Sequence, residues 1–115
     1  MDVPLILEGE YIPEWNGNKE SANPVVAVLQ ALTGAQRSEC MSFRSSDGTT
    51  VTGQVDMSKM VGYGVKELRN LTVGEIPVVT GRQLVASKGV GVDRLILELA
   101  AEIILRNQEQ DLKNS

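Results

Sequence analysis

The chain has 115 residues, which is enough for one domain with a modest buried core, and 42% of them are hydrophobic while 23% are charged. Aromatic side chains are limited to one Trp, two Tyr and one Phe, so the core must be built from aliphatic residues. The net charge of −4 excludes the clustered positive surface that nucleic acids and anionic membranes require, and predicts that neither is a partner.

Cysteine usage and hydropathy predict a cytoplasmic protein. Cys40 is the single cysteine, which excludes an intramolecular disulfide and is typical of a reducing compartment. Met1 is followed by an acidic residue rather than by the basic segment of a secretory signal peptide. The apolar runs are far shorter than the ~20 residues of a membrane-spanning helix.

The first third of the chain contains two predicted strands. Residues 3–8 are short, apolar and aliphatic, and predict the first strand. The Asn-Gly pair at 16–17 is a strong turn signal. Residues 24–32 begin with β-branched valines and predict the second strand, after which Thr33 can cap a short helix over 35–37.

The middle of the chain is predicted to contain a hairpin-type turn. The residues SSDGTT at 45–50 are typical of a tight turn around an Asp-Gly pair. The flanking residues 41–44 and 51–55 alternate only imperfectly between apolar and polar. A mobile hairpin or a plain loop therefore fits them as well as a strand pair of the core sheet.

A helix is predicted over residues 59–69. Asp56 or Ser58 can cap its N-terminus, and an apolar stripe runs along it, formed by Met57, Met60, Val61, Val65 and Leu68. Gly62 and Gly64 weaken this helix by ~1 kcal/mol each relative to alanine.

The last third is predicted to be mostly helical. Gly74 marks a turn before a brief extended segment, and Thr80 caps a helical turn. The final helix begins near Val92 and loses its apolar rhythm after Arg106, so residues 107–115 are predicted to form a frayed polar tail. These elements predict one α+β domain over residues 1–115, with short N-terminal strands packed against a helical C-terminal half that ends in a long apolar helix.

The sequence offers no constellation for catalysis, cofactor binding or metal binding. No histidine is present to activate a nucleophile, and the glycine pairs at 62–64 and 89–91 do not complete GxGxxG. One cysteine and scattered carboxylates make a poor ligand set for a metal. The most noticeable carboxylates are spaced like solvated surface positions: Glu8, Glu10, Glu98 and Glu102. We therefore predict a non-enzymatic protein without cofactor or metal.

The final helix is apolar on two sides. One side is suited to cover a small sheet, and consists of Val92, Leu95, Ile96, Leu99, Ala100, Ile103 and Ile104. Leu97, Ala101 and Leu105 form a second row at steps of four. Full burial inside the monomer is one interpretation, and contact of the second row with another subunit or a client is the other.

Two aromatic residues near the N-terminus add to the predicted interface. An exposed Trp15 together with Tyr11 could stack on a partner, whereas packing over the sheet is the more conservative interpretation. The predicted protein interface therefore comprises Leu97, Ala101, Leu105, Tyr11 and Trp15.

The order of short segments resembles a phage protein family. The segments are PEWNGN, LTGAQR, NLTVGE, TGRQLV, a terminal apolar helix and DLKNS. In this order they resemble small proteins from the tail-gene clusters of long-tailed bacteriophages, in particular the tail assembly chaperones. Many of these chaperones are mostly helical, and the strands predicted for this chain depart from that pattern. Some of these chaperones are extended by ribosomal frameshifting at a slippery heptamer, and a Lys-Asn pair such as the one at 113–114 is what that heptamer would encode.

The resemblance implies a function in assembly. Such a protein would oligomerise in the host cytoplasm and bind the long helical tape-measure protein until the tail tube forms around it. Two alternatives remain open: a ring-forming virion component such as a head–tail connector or tail terminator, and a small non-catalytic regulatory or adaptor protein.

Overall fold

The fold is described from a computed structural model that covers residues 1–45, 48 and 51–114, and the side chains of all of these except 43–45, 51–52 and 108–114. In chain order the elements are β1 (Gly9–Tyr11), a 3-10 turn (Trp15–Glu20), β2 (Val26–Leu29), α1 (Gly34–Cys40), β3 (Met41–Ser45), β4 (Val51–Val55), α2 (Met57–Gly64), β5 (Val65–Arg69), β6 (Thr72–Val73), β7 (Ile76–Pro77), α3 (Gly81–Ala86) and α4 (Val92–Asn114).

A three-stranded antiparallel sheet in the order β1-β2-β5 forms the N-terminal layer. Tyr11 pairs with Ala27, and Ala27 pairs with Leu68 on the other side of β2. Burial alternates along β2, where Ala27 and Leu29 are buried, because successive side chains point to opposite faces of a sheet. The buried face of this sheet packs into a single aliphatic core.

Helices α2, α3 and α4 supply the other side of that core. Leu84 of α3 and Leu95 and Leu99 of α4 have no exposed surface. Gly64 lets α4 approach closely, since a Cβ at this position would lie 2.6 Å from Ile103 Cδ1. The α+β fold predicted from the sequence is therefore confirmed, although the sheet takes β1 and β2 from the first half of the chain and β5 from the second half.

The predicted caps of α1 and α3 are confirmed as capping boxes of the same kind. Thr33 Oγ1 accepts the Gln36 N–H at 3.1 Å and Gln36 Oε1 accepts the Thr33 N–H at 3.0 Å. Thr80 and Gln83 repeat this exchange with both distances at 3.1 Å. Each box satisfies backbone donors that have no partner within their own helix, which fixes where these short helices begin.

The helix predicted over residues 59–69 is wrong in its second half. Asp56 caps α2 as predicted, but the helix ends at Gly64 and the chain continues as β5. Pairing of β5 with β2 places Val65 and Leu68 in the core from an extended backbone. Tertiary pairing thus overrides local propensity at a point that two glycines had already weakened.

The strand predicted over residues 3–8 is also wrong, because the strand lies at Gly9–Tyr11 instead. Strand β2 pairs with β1 only from Ala27 to Leu29, and the Ala31 N–H beyond it donates to the Glu8 carboxylate rather than to a backbone carbonyl. Residues 3–8 therefore lie outside the sheet. We call residues 1–8 the N-terminal arm.

Two small hairpins lie apart from the main sheet. Strands β3 and β4 pair with each other, from Met41 opposite Val55 onward, and the turn residues 46, 47, 49 and 50 lie outside the described residues. Strands β6 and β7 join through Gly74 and Glu75, whose φ angles of 59° and 69° are those of a primed two-residue turn. The turn predicted at Gly74 is confirmed.

Helix α4 begins at Val92 as predicted and runs to Asn114. This range includes residues that the sequence analysis assigns to a polar tail over 107–115, and the side chains from position 108 onward lie outside the described part. Among the helices of the described residues, none combines the length and the apolar character needed to cross a membrane.

Candidate interaction surface

The second apolar row of α4 lies on the surface. Leu97 is 51% exposed and Leu105 is 45% exposed, and Ala101 between them is exposed as well. On the opposite side of the helix Leu95 and Leu99 are completely buried. The structure thus brings three of the predicted interface residues together on one face, which we call the leucine row (Leu97, Ala101 and Leu105).

Glu98 and Glu102 of the same helix are half-buried rather than solvated, contrary to the sequence-based expectation. Glu98 Oε2 accepts hydrogen bonds from the Tyr11 hydroxyl at 2.6 Å and from the Glu14 N–H at 2.7 Å. Its other oxygen accepts the Trp15 N–H at 3.0 Å. The Glu98 carboxylate therefore fixes the segment after β1 to the helix.

A second polar residue of α4 holds the backbone of β1. Arg106 Nε donates to Glu102 Oε1 at 3.0 Å, in an ion pair one helical turn apart. The rest of its guanidinium donates to the carbonyl oxygens of Gly9 and Glu10 at 3.3 and 3.2 Å. Glu102 and Arg106 thus attach the edge strand of the sheet to the helix.

Tyr11 and Trp15 are both half-buried and pack against the core. The Trp15 indole N–H donates to the Gly91 carbonyl at 3.0 Å, next to the start of α4. Burial, and then the adjacent Glu98 carboxylate, raise the pKa of the Tyr11 hydroxyl above its ordinary value. The polar groups of both side chains are therefore hydrogen-bonded within the protein. The leucine row is the exposed part of the predicted interface.

An apolar groove of about 400 Å³ lies between α1, the β3–β4 hairpin and α4. We call it the α1–α4 groove, and its apolar walls are Leu32, Met41, Val55, Met60 and Ile104. Arg37 also lines the groove, and its guanidinium donates a hydrogen bond to the Leu32 carbonyl at 2.9 Å. No carboxylate of the described residues lies within ion-pair distance of Arg37.

Asn107 brings an unpaired acceptor to this groove. Its side-chain amide N–H donates to the Ile103 carbonyl at 2.8 Å. Its Oδ1 is buried and has no hydrogen-bond partner. Among the side chains that the structure describes, it is the only buried polar atom of this kind. The sequence analysis missed this residue because it placed Asn107 in the polar tail. Its spacing of four from Ile103 is the signal that could have placed it on the inward side of the helix.

A second apolar groove, of about 680 Å³, lies between the β6–β7 hairpin and the loop after α3. We call it the hairpin groove, and its apolar walls include Val73, Ile76, Pro77, Val78 and Val90. Gln83 is already bonded here, since its Oε1 accepts the N–H groups of Val79 and Thr80. This groove is therefore larger than the α1–α4 groove but shows no unpaired buried acceptor.

Groups with chemical reactivity are sparse in the described residues. No three residues among His, Cys, Asp and Glu are close enough there to hold a metal ion. The Cys40 thiol is buried, and this burial raises its pKa, so the nucleophilic thiolate is disfavoured. Comparisons of the chain with protein-family models, with curated proteins and with solved structures each find no match.

Proposed function

We propose that the protein is a non-enzymatic tail assembly chaperone of the kind found in long-tailed bacteriophages. It acts in the host cytoplasm, associates with itself, and binds the helical tape-measure protein before the tail tube polymerises. The resemblance of the sequence supplies the family in this proposal. The exposed leucine row supplies the surface that contacts the client.

The observation that supports this function is the contrast between the two sides of α4. Single exposed leucines are common on protein surfaces and need no explanation. The leucine row instead repeats at steps of four over eight positions, so it forms a stripe ~12 Å long on a helix whose other side is buried. Burying each leucine against a partner would contribute about 1.5–3 kcal/mol.

A stripe of this kind suits a helical client. Helix recognition relies on apolar residues at spacings of three and four, and a tape-measure protein offers such residues along its length. The Ile96 and Ile104 side chains, half-buried next to the row, widen the apolar surface toward the α1–α4 groove. The client helix therefore packs alongside α4.

Replacement of Leu97 and Leu105 by Glu tests this proposal. The variant is co-expressed with the tape-measure protein of the same gene cluster, and we expect folding to be kept and co-purification to be lost, because carboxylates are costly to bury in an apolar interface. The matched control replaces Ile76 and Val79 by Glu, since these residues are 69% and 45% exposed on another surface. A Leu97/Leu105 variant that folds and still co-purifies like the control would contradict the proposal.

A ring-forming virion component is the second candidate, and the shape of the chain favours it. The radius of gyration is 15.7 Å, whereas a typical domain of this length has ~13 Å. An extended subunit can contact its neighbours through two different surfaces, and such heterologous contacts close into a ring. Mass spectrometry of purified virions separates the candidates, because a chaperone is absent from the finished particle and a ring component is present in it.

A further inference from the structure

The N-terminal arm is an exposed apolar segment that lies outside any strand. Val3, Leu5 and Leu7 are 71%, 91% and 52% exposed. They occupy alternate positions, which places them on one side of an extended chain. The root of the arm is fixed, because Glu8 Oε2 accepts the Ala31 N–H at 2.5 Å. The chain therefore presents aliphatic side chains that its own core leaves uncovered.

The α1–α4 groove defines the chemistry of what would fill it. Its walls of aliphatic and methionine side chains favour an apolar occupant. The buried Asn107 Oδ1 has no donor, and a buried acceptor is normally satisfied. Arg37 provides a positive charge, and it forms no ion pair with a carboxylate of the described residues. The best occupant is an extended apolar segment with free backbone N–H groups and an acidic residue.

We propose that the N-terminal arm of one copy occupies the α1–α4 groove of a second copy. The arm has the three required features: aliphatic side chains at alternate positions, backbone N–H groups outside any strand, and the carboxylate of Asp2 to approach Arg37. Charge complementarity between Asp2 and Arg37 thus favours this chain itself as the partner. The inference rests on the proposed function only in that the protein associates with itself.

This contact is heterologous, because a donor arm and an acceptor groove are different surfaces. Each copy uses one arm and one groove, so the contact can repeat from copy to copy and close into a ring. The leucine row is not used, since its residues are absent from the groove walls. Self-association therefore leaves the leucine row free, and Ile104 borders both the groove and the client surface.

Two full-length variants test the inference. The arm variant carries Leu5→Lys and Leu7→Lys, and the groove variant carries Val55→Lys and Arg37→Glu, all at exposed positions. The matched control carries Ile76→Lys and Val79→Lys. Circular dichroism verifies folding, and native mass spectrometry at micromolar concentration measures assembly. We expect both test variants to lose assembly by at least about tenfold in dissociation constant and the control to keep it.

Mixing the two variants gives the sharpest readout. The groove variant still has an intact arm and the arm variant still has an intact groove, so an equimolar mixture should form a 1:1 heterodimer that its mass identifies. A wild-type monomer, unchanged assembly of either variant, or a mixture of folded variants that stays monomeric would overturn the inference. Loss of assembly in the control would assign the arm to the hairpin groove and would overturn it as well.

A charge exchange tests the orientation of the arm. Asp2→Arg should weaken association by up to about fivefold, within the contribution of an exposed ion pair. Adding Arg37→Glu to Asp2→Arg should restore it, and failure to restore it would overturn the Asp2–Arg37 contact. Client co-purification is measured in parallel. Because the arm variant keeps the leucine row, loss of assembly with retained client binding separates this inference from the proposed function.

Discussion

The Tyr11 hydroxyl donates a hydrogen bond of 2.6 Å to Glu98 across 87 positions of the chain. The same carboxylate accepts two backbone N–H groups, from Glu14 and Trp15. One side chain of α4 therefore holds the end of β1 and the start of the 3-10 turn. Its removal leaves three donors without their acceptor, which makes the position energetically sensitive although it looks like a surface glutamate in the sequence.

We predict that Glu98→Ala lowers the free energy of unfolding by about 2–3 kcal/mol, because hydrogen bonds to a charged group are the stronger ones. Chemical denaturation measures this loss. The control is Glu67→Ala, which removes an exposed ion pair with Arg69 and should cost less than about 1 kcal/mol. Equal losses of unfolding free energy in the two variants would show that the Glu98 hydrogen bonds stabilise the fold no more than an exposed ion pair does.

Alkaline pH should destabilise the protein through Tyr11. The pKa of its hydroxyl in the folded state lies above the ordinary value of 10.0, so folding favours the neutral phenol. This contribution to the free energy of unfolding is fully present below pH 10, and it is lost as the pH rises above the pKa that the tyrosine hydroxyl has in the unfolded chain. The free energy of unfolding should therefore fall less steeply above pH 10 in Tyr11→Phe than in the wild type. Parallel curves for the two proteins would contradict the prediction.

The two sides of α4 should respond differently to alanine. Leu99→Ala should cost about 2–5 kcal/mol, because Leu99 is completely buried and its removal leaves a cavity. Leu97→Ala should change the stability of the isolated monomer by no more than about 0.5 kcal/mol, since Leu97 is half exposed. Thermal denaturation at low concentration compares them. A large loss at Leu97 would place the leucine row in the monomer core.

Two glycines should respond to alanine with opposite signs. A Cβ at Gly81 would lie 2.3 Å from the Val61 carbonyl oxygen, a backbone atom that cannot move aside. Gly81→Ala should therefore cost about 1–3 kcal/mol through overpacking. Gly62 is inside α2, where the nearest atom is 3.8 Å away, and Gly62→Ala should stabilise the protein by about 0.5–1 kcal/mol. Denaturation midpoints of the two variants test the difference in sign.

Sequence reasoning succeeded where structure is encoded over a few neighbouring residues. The caps at Thr33, Asp56 and Thr80, the turn at Gly74 and the start of α4 are each decided by side chains within about one helical turn. These signals need no knowledge of the rest of the chain. The two-sided apolar pattern of α4 likewise predicted the leucine row, which lies exposed on the surface.

The failures involve partners that are far away in the sequence. Residues 65–69 look helical on their own, and their pairing with β2 makes them a strand. The arm looks like a strand, but pairing between β1 and β2 stops at Gly9 and Leu29, which leaves the arm outside the sheet. Glu98 looks solvated until the segment around Tyr11 is placed beside it. Asn107 and Arg37 line one groove only because α2 packs against both α1 and α4.

The attachment of β1 to α4 also sets an order of events during synthesis. Arg106, which bonds to the β1 backbone, follows Gly9 by 97 positions. At ~5–20 residues per second, the ribosome adds it roughly 5–20 seconds later. During that interval the edge strand and the arm before it leave the ribosome without the helix that fastens them. The nascent chain is therefore most prone to premature pairing with neighbouring chains on the same messenger, until its last helix arrives.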